Sequence, residues 1–308
     1  MTHEDPGQSD PPAIPIDRAD LWFAHLPAAL QGFTILQISD THVSAGYPAA
    51  RRLHDRLIQQ LRDPDAGLGR VDLAVLTGDY MCRDGDEHIA AAALGELIGA
   101  CDGLARHACL GIFGNHDHAE LKEIARARAA TGEWPIRWMN RRTLDIEGMQ
   151  VIGSDWPESF PPSASGRPSV PDDETPFRLA ILHTPDATPL AHRAGAHLVL
   201  AGHTHGGQLR LPMPGGGVFA LYTSSDLIPR RAPAGVYRYL DPMSPQHAPT
   251  TLAVTRGIGF QGVPRRLWCP PQIALYTLRR GESEQTVANG MPPEPVGSGG
   301  ELTVVRVW

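Results

Sequence analysis

The chain has 308 residues, 42% of them hydrophobic, which is enough for one large α/β domain or two smaller ones. Its net charge of -7 argues against a dedicated nucleic-acid binder, because such proteins normally carry a basic face. The four cysteines are too few for a disulfide scaffold and match no zinc motif, which predicts reduced thiols and a cytoplasmic protein.

The first residues predict no targeting element. Residues 1–15 are polar and proline-rich, typical of a disordered leader, and show no signal-peptide pattern. No apolar run along the chain approaches the roughly 18 residues of a spanning helix. Leu21–Phe23 then predicts an edge strand, with a small membrane-facing patch as the alternative.

The next part of the chain alternates apolar, β-rich runs with helical patterns. Three predicted strands cover residues 33–38, 71–76 and 107–113. Each is followed by a predicted helix, over residues 48–61, 88–100 and 119–130. This alternation is typical of βαβ units in a largely parallel sheet.

The second half has shorter elements. Met149–Gly153 and Arg178–Leu182 predict strands, and the Pro- and Ser-rich stretch 156–176 between them predicts a long loop, either a lid or a tolerated insertion. Five more strand candidates predict a mostly antiparallel second sheet: 208–211, 218–222, 235–239, 251–254 and 273–278. We expect one domain over residues 16–280 and a mostly flexible tail over 281–308, within which Leu302–Trp308 has strand composition.

Metal-ligating residue types follow five of the predicted strands: Asp40 and His42, Asp79, Asn115–Asp117, His183, and His203 with His205. Because sites in open α/β sheets form beyond the carboxyl ends of the strands, we expect these residues to converge. Imidazole, carboxylate and amide ligands favour Mn, Fe or Zn over calcium. There are ligands enough for two ions, and two ions about 3.5–4 Å apart suit in-line displacement at phosphorus.

The histidine pair lies at the end of a buried apolar run, Leu198–Ala201. If the backbone stays extended there, His203 and His205 project in the same direction. Gly206 and Gly207 remove side chains where a ligand or a second backbone comes close.

In order, these motifs resemble the five-part signature of the calcineurin-like metallophosphoesterase superfamily, over roughly residues 33–278. The motifs are Asp40-x-His42, Gly78-Asp79, Gly114-Asn115-His116-Asp117, His183 and Gly202-His203-x-His205. The longer stretch Gly202–Gln208, with Thr255–Gly259 and Pro264-x-Arg266, is similar to one bacterial branch. That branch contains phosphodiesterases and hydrolases resembling UDP-2,3-diacylglucosamine pyrophosphohydrolase.

The resemblance implies an α/β fold of two packed mixed β-sheets flanked by helices, a four-layer α/β/β/α sandwich. It implies two ions of Mn, Fe or Zn with Asp79 bridging them: one held by Asp40, His42, Asp79 and His205, the other by Asp79, Asn115, His183 and His203. A metal-bridging hydroxide would attack a phosphodiester or pyrophosphate in line. His116 would protonate the leaving group, and Asp117 would orient the ring of His116.

Arginines supply further candidates for substrate contact. Arg256 is a candidate phosphate ligand, with a surface arginine in a turn as the alternative. Arg265 and Arg266 either line an anionic entrance or are solvated. The expected substrate is a small phosphorylated compound, and it could be linked to a nucleotide or to a lipid. Peripheral contact of the protein with the inner membrane is a further alternative.

Three other functions compete with this interpretation. A nuclease of the same superfamily disagrees with the acidic balance of the chain. An amidohydrolase also uses a His-x-His pair, but on an early strand of an eightfold repeat. A non-catalytic scaffold of the same fold is expected to have lost ligands, whereas every expected ligand is present.

Overall fold

The structure is a computed structural model, which describes residues 11–159, 176–214, 216–242, 248–281, 294–295 and 300–308. Its four α-helices are α1 (Pro48–Arg62), α2 (Glu87–Leu104), α3 (Ala119–Ala130) and α4 (Thr188–Arg193). Its first eight strands are β1 (Ile16–Phe23), β2 (Thr34–Ile38), β3 (Val71–Leu76), β4 (Ala105–Gly111), β5 (Arg137–Trp138), β6 (Arg142–Ile146), β7 (Met149–Gly153) and β8 (Phe177–Ile181). The remaining strands are β9 (Leu198–Ala201), β10 (Arg210–Pro212), β11 (Val218–Ala220), β12 (Gly235–Leu240), β13 (Thr250–Val254), β14 (Ile273–Arg280), β15 (Glu294–Pro295) and β16 (Glu301–Val307).

The first sheet has six strands in the order β1-β14-β2-β3-β4-β5. Strands β2, β3 and β4 are parallel neighbours joined by α1 and α2, as the alternating pattern predicted. The placement of residues 273–278 in the second sheet was wrong. Those residues belong to β14, which lies between β1 and β2 and pairs antiparallel with β2.

The second sheet has the order β15-β16-β12-β13-β9-β8-β7-β6. Strands β7, β8, β9 and β13 are parallel neighbours, whereas β12 pairs antiparallel with β13 and β16. The sheet is therefore mixed, with four antiparallel and three parallel pairings among the described strands. Two of the predicted members, β10 and β11, instead form a separate two-stranded sheet.

Side-chain alternation along the strands explains how the layers pack. In β2 and β3, Ile35 and Val75 face the second sheet and pack with its Val151 and Leu200. The residues that alternate with Ile35 and Val75 along these two strands face outwards to the helices, as Leu36 does in β2. The apolar side chains between the two β-sheets form one core, and the helices cover the outer faces of both sheets. Each fully buried aliphatic side chain contributes about 1.5–3 kcal/mol to the stability of this arrangement. The expected arrangement of two mixed sheets flanked by helices is confirmed.

The helices follow their apolar periodicity. In α1, Pro48 occupies the first helical turn, where its missing N–H costs nothing, and Leu53, Leu57 and Leu61 are buried at a spacing of four residues. The longest helix, α2, has 18 residues and packs its alanine-rich face against the outer face of the first sheet, where Leu36 and Leu57 also lie. Within the described part of the chain, no helix combines the length and the apolar character that a membrane span needs.

Both ends of the described chain contact the fold. Ile14, in the predicted leader, is 1% exposed, and its backbone N–H and carbonyl bond the side chain of Gln60 at 2.9 Å each. Strand β16, in the predicted tail, pairs with β12. Residues 1–10 and most of 282–299 lie outside the described residues, as does most of the predicted loop over 156–176. The division into leader, domain and tail stays a prediction.

Candidate metal centre

The predicted ligands lie where parallel strands of both sheets end. Asp40 and His42 follow β2, Asp79 follows β3, and Asn115 follows β4 in the first sheet. His183 follows β8 and His203 with His205 follows β9 in the second sheet. These strand ends meet between the two sheets, and the structure brings all seven side chains together in two adjoining groups.

The first group consists of Asp40, His42 and His205, whose ligand atoms all lie within 4.8 Å of one another. The Nε2 atoms of His42 and His205 are 3.0 Å apart, and His205 Nε2 is 3.5 Å from Asp40 Oδ1. All three residues are buried.

The second group consists of Asp79, His183 and His203, with the side chain of Asn115 beside them. His183 Nε2 lies 3.2 Å from His203 Nδ1 and 3.0 Å from Asn115 Oδ1. His203 and His205 therefore face different groups.

The backbone at the histidine pair is not extended, so the condition for a shared side-chain direction is not met. His203 and His205 have φ angles of 66° and 50°, and Thr204 between them is helical at φ -74°. Asp40, His42 and Asp79 also have positive φ, between 42° and 58°. Non-glycine residues rarely adopt this left-handed region, and they do so mainly where function keeps the strain. The left-handed turns at these residues therefore set the direction of each side chain independently of its neighbours.

The carboxylate of Asp79 joins the two groups. Its Oδ2 atom lies 3.4 Å from His42 Nε2 and 3.2 Å from His183 Nε2, whereas its Oδ1 accepts the backbone N–H of His116 at 2.8 Å. Oδ2 is buried and accepts no hydrogen bond. Leaving a buried acceptor without a partner costs about 1–3 kcal/mol or more, so this atom needs a cation or a proton.

The histidine hydrogen bonds point to a cation. His42 Nδ1 donates to the carbonyl of Met81 at 3.0 Å, and His183 Nδ1 donates to that of Thr77 at 2.8 Å. When these rings are neutral, their Nε2 atoms carry lone pairs that face the Asp79 carboxylate. Lone pairs converging from imidazole and carboxylate form a ligand set that suits Mn, Fe or Zn, and backbone bonds to the other ring nitrogen are typical of metal-binding histidines.

Burial and neighbouring charge set the protonation states. Burial lowers the pKa of His42 and of His203 to about 4, and it holds the pKa of His205 well below its usual value. Burial acts in the same direction on His183, but the Asp79 carboxylate outweighs it and raises that pKa to about 10. Burial raises the pKa of Asp40 to about 7. Three imidazoles are thus ready to bind a metal at neutral pH, and the field of Asp79 favours positive charge beside it.

Two glycines let the ligands approach. A Cβ atom on Gly114 would overlap Asp79 Oδ1, and one on Gly202 would overlap Ser39 Oγ and lie 2.5 Å from Asp40 Oδ2. These two motif glycines therefore make room for carboxylates. Gly206, expected to make room for a ligand or a second backbone, instead makes room for the side chains of Arg210 and Arg256.

The role predicted for Asp117 needs correction. Its carboxylate does not reach the ring of His116, because both of its oxygens accept backbone N–H groups. Oδ2 accepts from Gly114 at 2.7 Å and from Asp79 at 2.9 Å, and Oδ1 accepts from Tyr80 at 2.7 Å. Asp117 therefore fixes the turns after β3 and β4 to each other, and so positions Asp79.

The ring of His116 contacts a residue that the sequence analysis missed. His116 Nε2 lies 2.7 Å from the side-chain nitrogen of Gln261. Gln208, the last residue of the Gly202–Gln208 motif, accepts the backbone N–H of Gln261 at 2.9 Å and donates to its carbonyl at 3.1 Å. Gln261 lies in no recognisable pattern, but the position of Gln208 in the motif was a usable signal.

Arg256, for which phosphate contact and a surface position were the alternatives, is not at the surface, and its guanidinium is held inside the fold. It is 4% exposed, and its guanidinium donates to Asp17 Oδ2 at 2.6 Å and to the carbonyl of Pro270 at 2.9 Å. Arg266 is the arginine beside the centre, with Nη2 3.3 Å from His205 Nδ1. The sequence analysis placed Arg266 in the motif Pro264-x-Arg266 and in a basic pair with Arg265, but not beside the histidines.

The sequence around these candidate ligands matches a known protein family. The model of the family described as calcineurin-like phosphoesterase matches residues 33–207. Since this match spans more than half of the chain and includes both groups of ligands, the protein belongs to the calcineurin-like phosphoesterase family. The superfamily resemblance is thereby confirmed, and with it a metal-dependent phosphoesterase class.

Three bacterial proteins are similar over most of their length. The chain is 27% identical to the uncharacterized metallophosphoesterase YkuE of Bacillus subtilis strain 168 over 260 residues, 82% of each chain. It is 26% identical over 257 residues to the phosphodiesterase YaeI of Escherichia coli strain K12, covering 80% of this chain and 82% of that one. It is 23% identical over 270 residues to the uncharacterized metallophosphoesterase YkoQ of Bacillus subtilis strain 168, covering 86% and 88%.

Proposed function

We propose that the protein is a two-metal phosphoesterase that cleaves a phosphodiester or pyrophosphate bond. The observation that carries this is the position of Asp79 Oδ2, buried, without a hydrogen-bond partner, and between the Nε2 atoms of His42 and His183. A carboxylate oxygen placed in this way suits a bridge between two ions. Diester cleavage is supported by the similarity to YaeI of Escherichia coli, which is named a phosphodiesterase.

The two groups would each hold one ion, with Asp40, His42 and His205 on one side and His183, His203 and Asn115 on the other. Mn, Fe or Zn suit these ligands. Two such ions supply an acidified water and neutralise charge on the phosphoryl oxygens.

The chain's own residues complete the chemistry. His116 is half-buried at the mouth of the centre, and its ring lies 5.1 Å from that of His42. We assign it the role of general acid that donates a proton to the leaving oxygen, a role that positioned histidines often have in enzymes. Its backbone N–H holds Asp79 Oδ1, which leaves Oδ2 for the ions.

Hydrolysis of bis(p-nitrophenyl) phosphate by the full chain loaded with Mn²⁺ tests the proposal. We expect hydrolysis of this diester to exceed that of p-nitrophenyl phosphate. Asp79→Asn should lower the rate by about a thousandfold or more, because it weakens both ions at once. The control is Asp65→Asn, which changes an exposed carboxylate outside the centre.

Two results would overturn the proposal. One is wild-type protein that does not hydrolyse phosphate diesters or pyrophosphates with Mn, Fe or Zn. The other is Asp79→Asn that retains the wild-type rate.

A further inference from the structure

The two-stranded sheet of β10 and β11 lies directly after the histidine pair. In its register, Arg210 faces Ala220 and Leu211 faces Phe219. Backbone hydrogen bonds extend the pairing at both ends, from Leu221 N to Leu209 O at 2.9 Å and from Met213 N to Gly217 O at 3.1 Å. A bridge between Leu209 and Leu267 adds a third segment.

This register divides the side chains between two faces, since opposite residues share a face and alternate residues along a strand do too. One face carries Arg210 and Ala220 and is buried against the domain. We call the other the apolar face, and it consists of Leu209, Leu211, Met213, Phe219, Leu221 and Leu267.

Much of the apolar face is open to solvent. Leu211 and Leu267 are each 43% exposed, and Met213 and Leu221 are each 46% exposed. Tyr222, Trp268 and Val263 beside them are exposed as well, so this region holds seven of the ten exposed large hydrophobic residues in the described part of the chain. Such a concentration of apolar surface marks an interaction site.

Exposed arginines border the apolar face at Arg230 and Arg265, although the whole chain carries -7. Of the three segments that build the apolar face, 208–214 contains Arg210, 261–270 contains Arg265 and Arg266, and 216–225 contains no arginine; their described residues include no Asp or Glu. Arg210 is buried on the opposite face and the guanidinium of Arg266 contacts His205, so Arg265 is the arginine of these segments that is exposed. The Arg230 guanidinium lies 4.6 Å from the ring centroid of Phe219. The surface is therefore complementary to an apolar layer with negative charge at its boundary.

We propose that the apolar face binds the surface of an anionic lipid bilayer. Leucine and methionine would enter the boundary of the acyl chains, while Trp268 and Tyr222 suit the interface, where aromatic rings with a polar edge concentrate. Arginine at the edge of such a surface is attracted to anionic headgroups.

The apolar face is connected to the candidate centre. Gln208 lies just before β10 and donates a hydrogen bond to the carbonyl of Val263 at 2.7 Å. Gln261, which precedes Val263 by two residues, contacts His116. Binding by this face places the mouth of the centre at the lipid headgroups, where a lipid-linked phosphate ester would be cleaved. That last step rests on the proposed function, whereas lipid binding does not.

Co-sedimentation of the full chain with vesicles tests the binding without any catalysis. We expect the chain to bind phosphatidylcholine vesicles that contain about 30% phosphatidylglycerol at least about tenfold more strongly than vesicles of phosphatidylcholine alone. High salt should weaken this binding. The double variant Leu211→Gln/Leu267→Gln should bind about tenfold less, because it removes apolar side chains from the interface.

The matched control is Leu190→Gln on α4, since Leu190 is 41% exposed and lies outside the apolar face. It should bind vesicles as the wild type does, and unchanged melting temperatures show that all variants fold. Equal vesicle binding by the double variant and the control overturns the proposal. So does wild-type protein that binds neither the vesicles with phosphatidylglycerol nor those of phosphatidylcholine alone. A dimer in solution that the double variant abolishes also overturns it, because the face then serves a second copy of the chain.

Discussion

The side-chain nitrogen of Gln261 lies 2.7 Å from Nε2 of His116, and the side chain of Gln208 holds Gln261 by two backbone hydrogen bonds. The last residue of the Gly202–Gln208 motif thus reaches the proposed general acid through a loop more than 50 residues later in the chain. The motif therefore contains two candidate ligands, His203 and His205, and the residue that supports the proposed acid.

Gln208→Ala should release this loop and lower kcat by about tenfold with little change in KM, since misplacement of an acid affects chemistry more than binding. Gln261→Ala should have a similar effect, and the double variant should be no worse than either single variant, because both act on one contact. Steady-state kinetics with bis(p-nitrophenyl) phosphate checks this, with Gln59→Ala on exposed α1 surface as the control. Additive losses would contradict the shared contact.

Asp40 makes the metal-free protein sensitive to pH. Burial raises its pKa from 3.8 to about 7, so between those values the folded state holds a proton that the unfolded state has lost. Its contribution to stability therefore falls as pH rises through this window. Asp40→Asn cannot ionise and should melt at a higher temperature than the wild type in chelator at about pH 8, with a smaller difference at about pH 4. A variant that is less stable than the wild type by the same amount at both pH values would contradict this.

Asp117 should prove structural, because its two oxygens accept three close backbone N–H bonds around the centre. Asp117→Asn replaces one acceptor oxygen by an NH₂ group and leaves buried N–H groups unpaired. The free energy of unfolding should fall by about 2–4 kcal/mol, measured by urea denaturation. An unchanged unfolding free energy combined with lost activity would indicate a role in the chemistry instead.

Arg256 should also affect stability and not substrate binding. Arg256→Ala removes one partner of the ion pair with Asp17 and should cost about 2–4 kcal/mol, less than for a fully buried pair because Asp17 is 28% exposed. The KM for the diester should not change. Arg265→Ala, at an exposed position, is the control for stability. A large rise in KM with unchanged stability would restore the sequence-based interpretation of Arg256.

The strand-end ligands could be predicted because each lies after an apolar run that is visible by itself, as Asp79 does after Val71–Leu76. What failed depended on contacts between distant parts of the chain. Residues 273–278 resemble any other strand, and only their pairing with β1 and β2 assigns them to the first sheet. The ion pair of Arg256 joins residues 239 positions apart. The resemblance implied that His203 and His205 serve different ions, but a His-Thr-His sequence does not specify the left-handed backbone that separates the two side chains.

The central claim is that the two groups hold one ion each and share Asp79. The most direct test is the metal content of the full chain after loading with Mn²⁺ and removal of free ions, measured by elemental analysis. The account predicts about two ions per wild-type chain and a clear loss in Asp79→Asn, since both groups use its carboxylate. Wild-type protein that retains no ion, or Asp79→Asn that retains both, would contradict it.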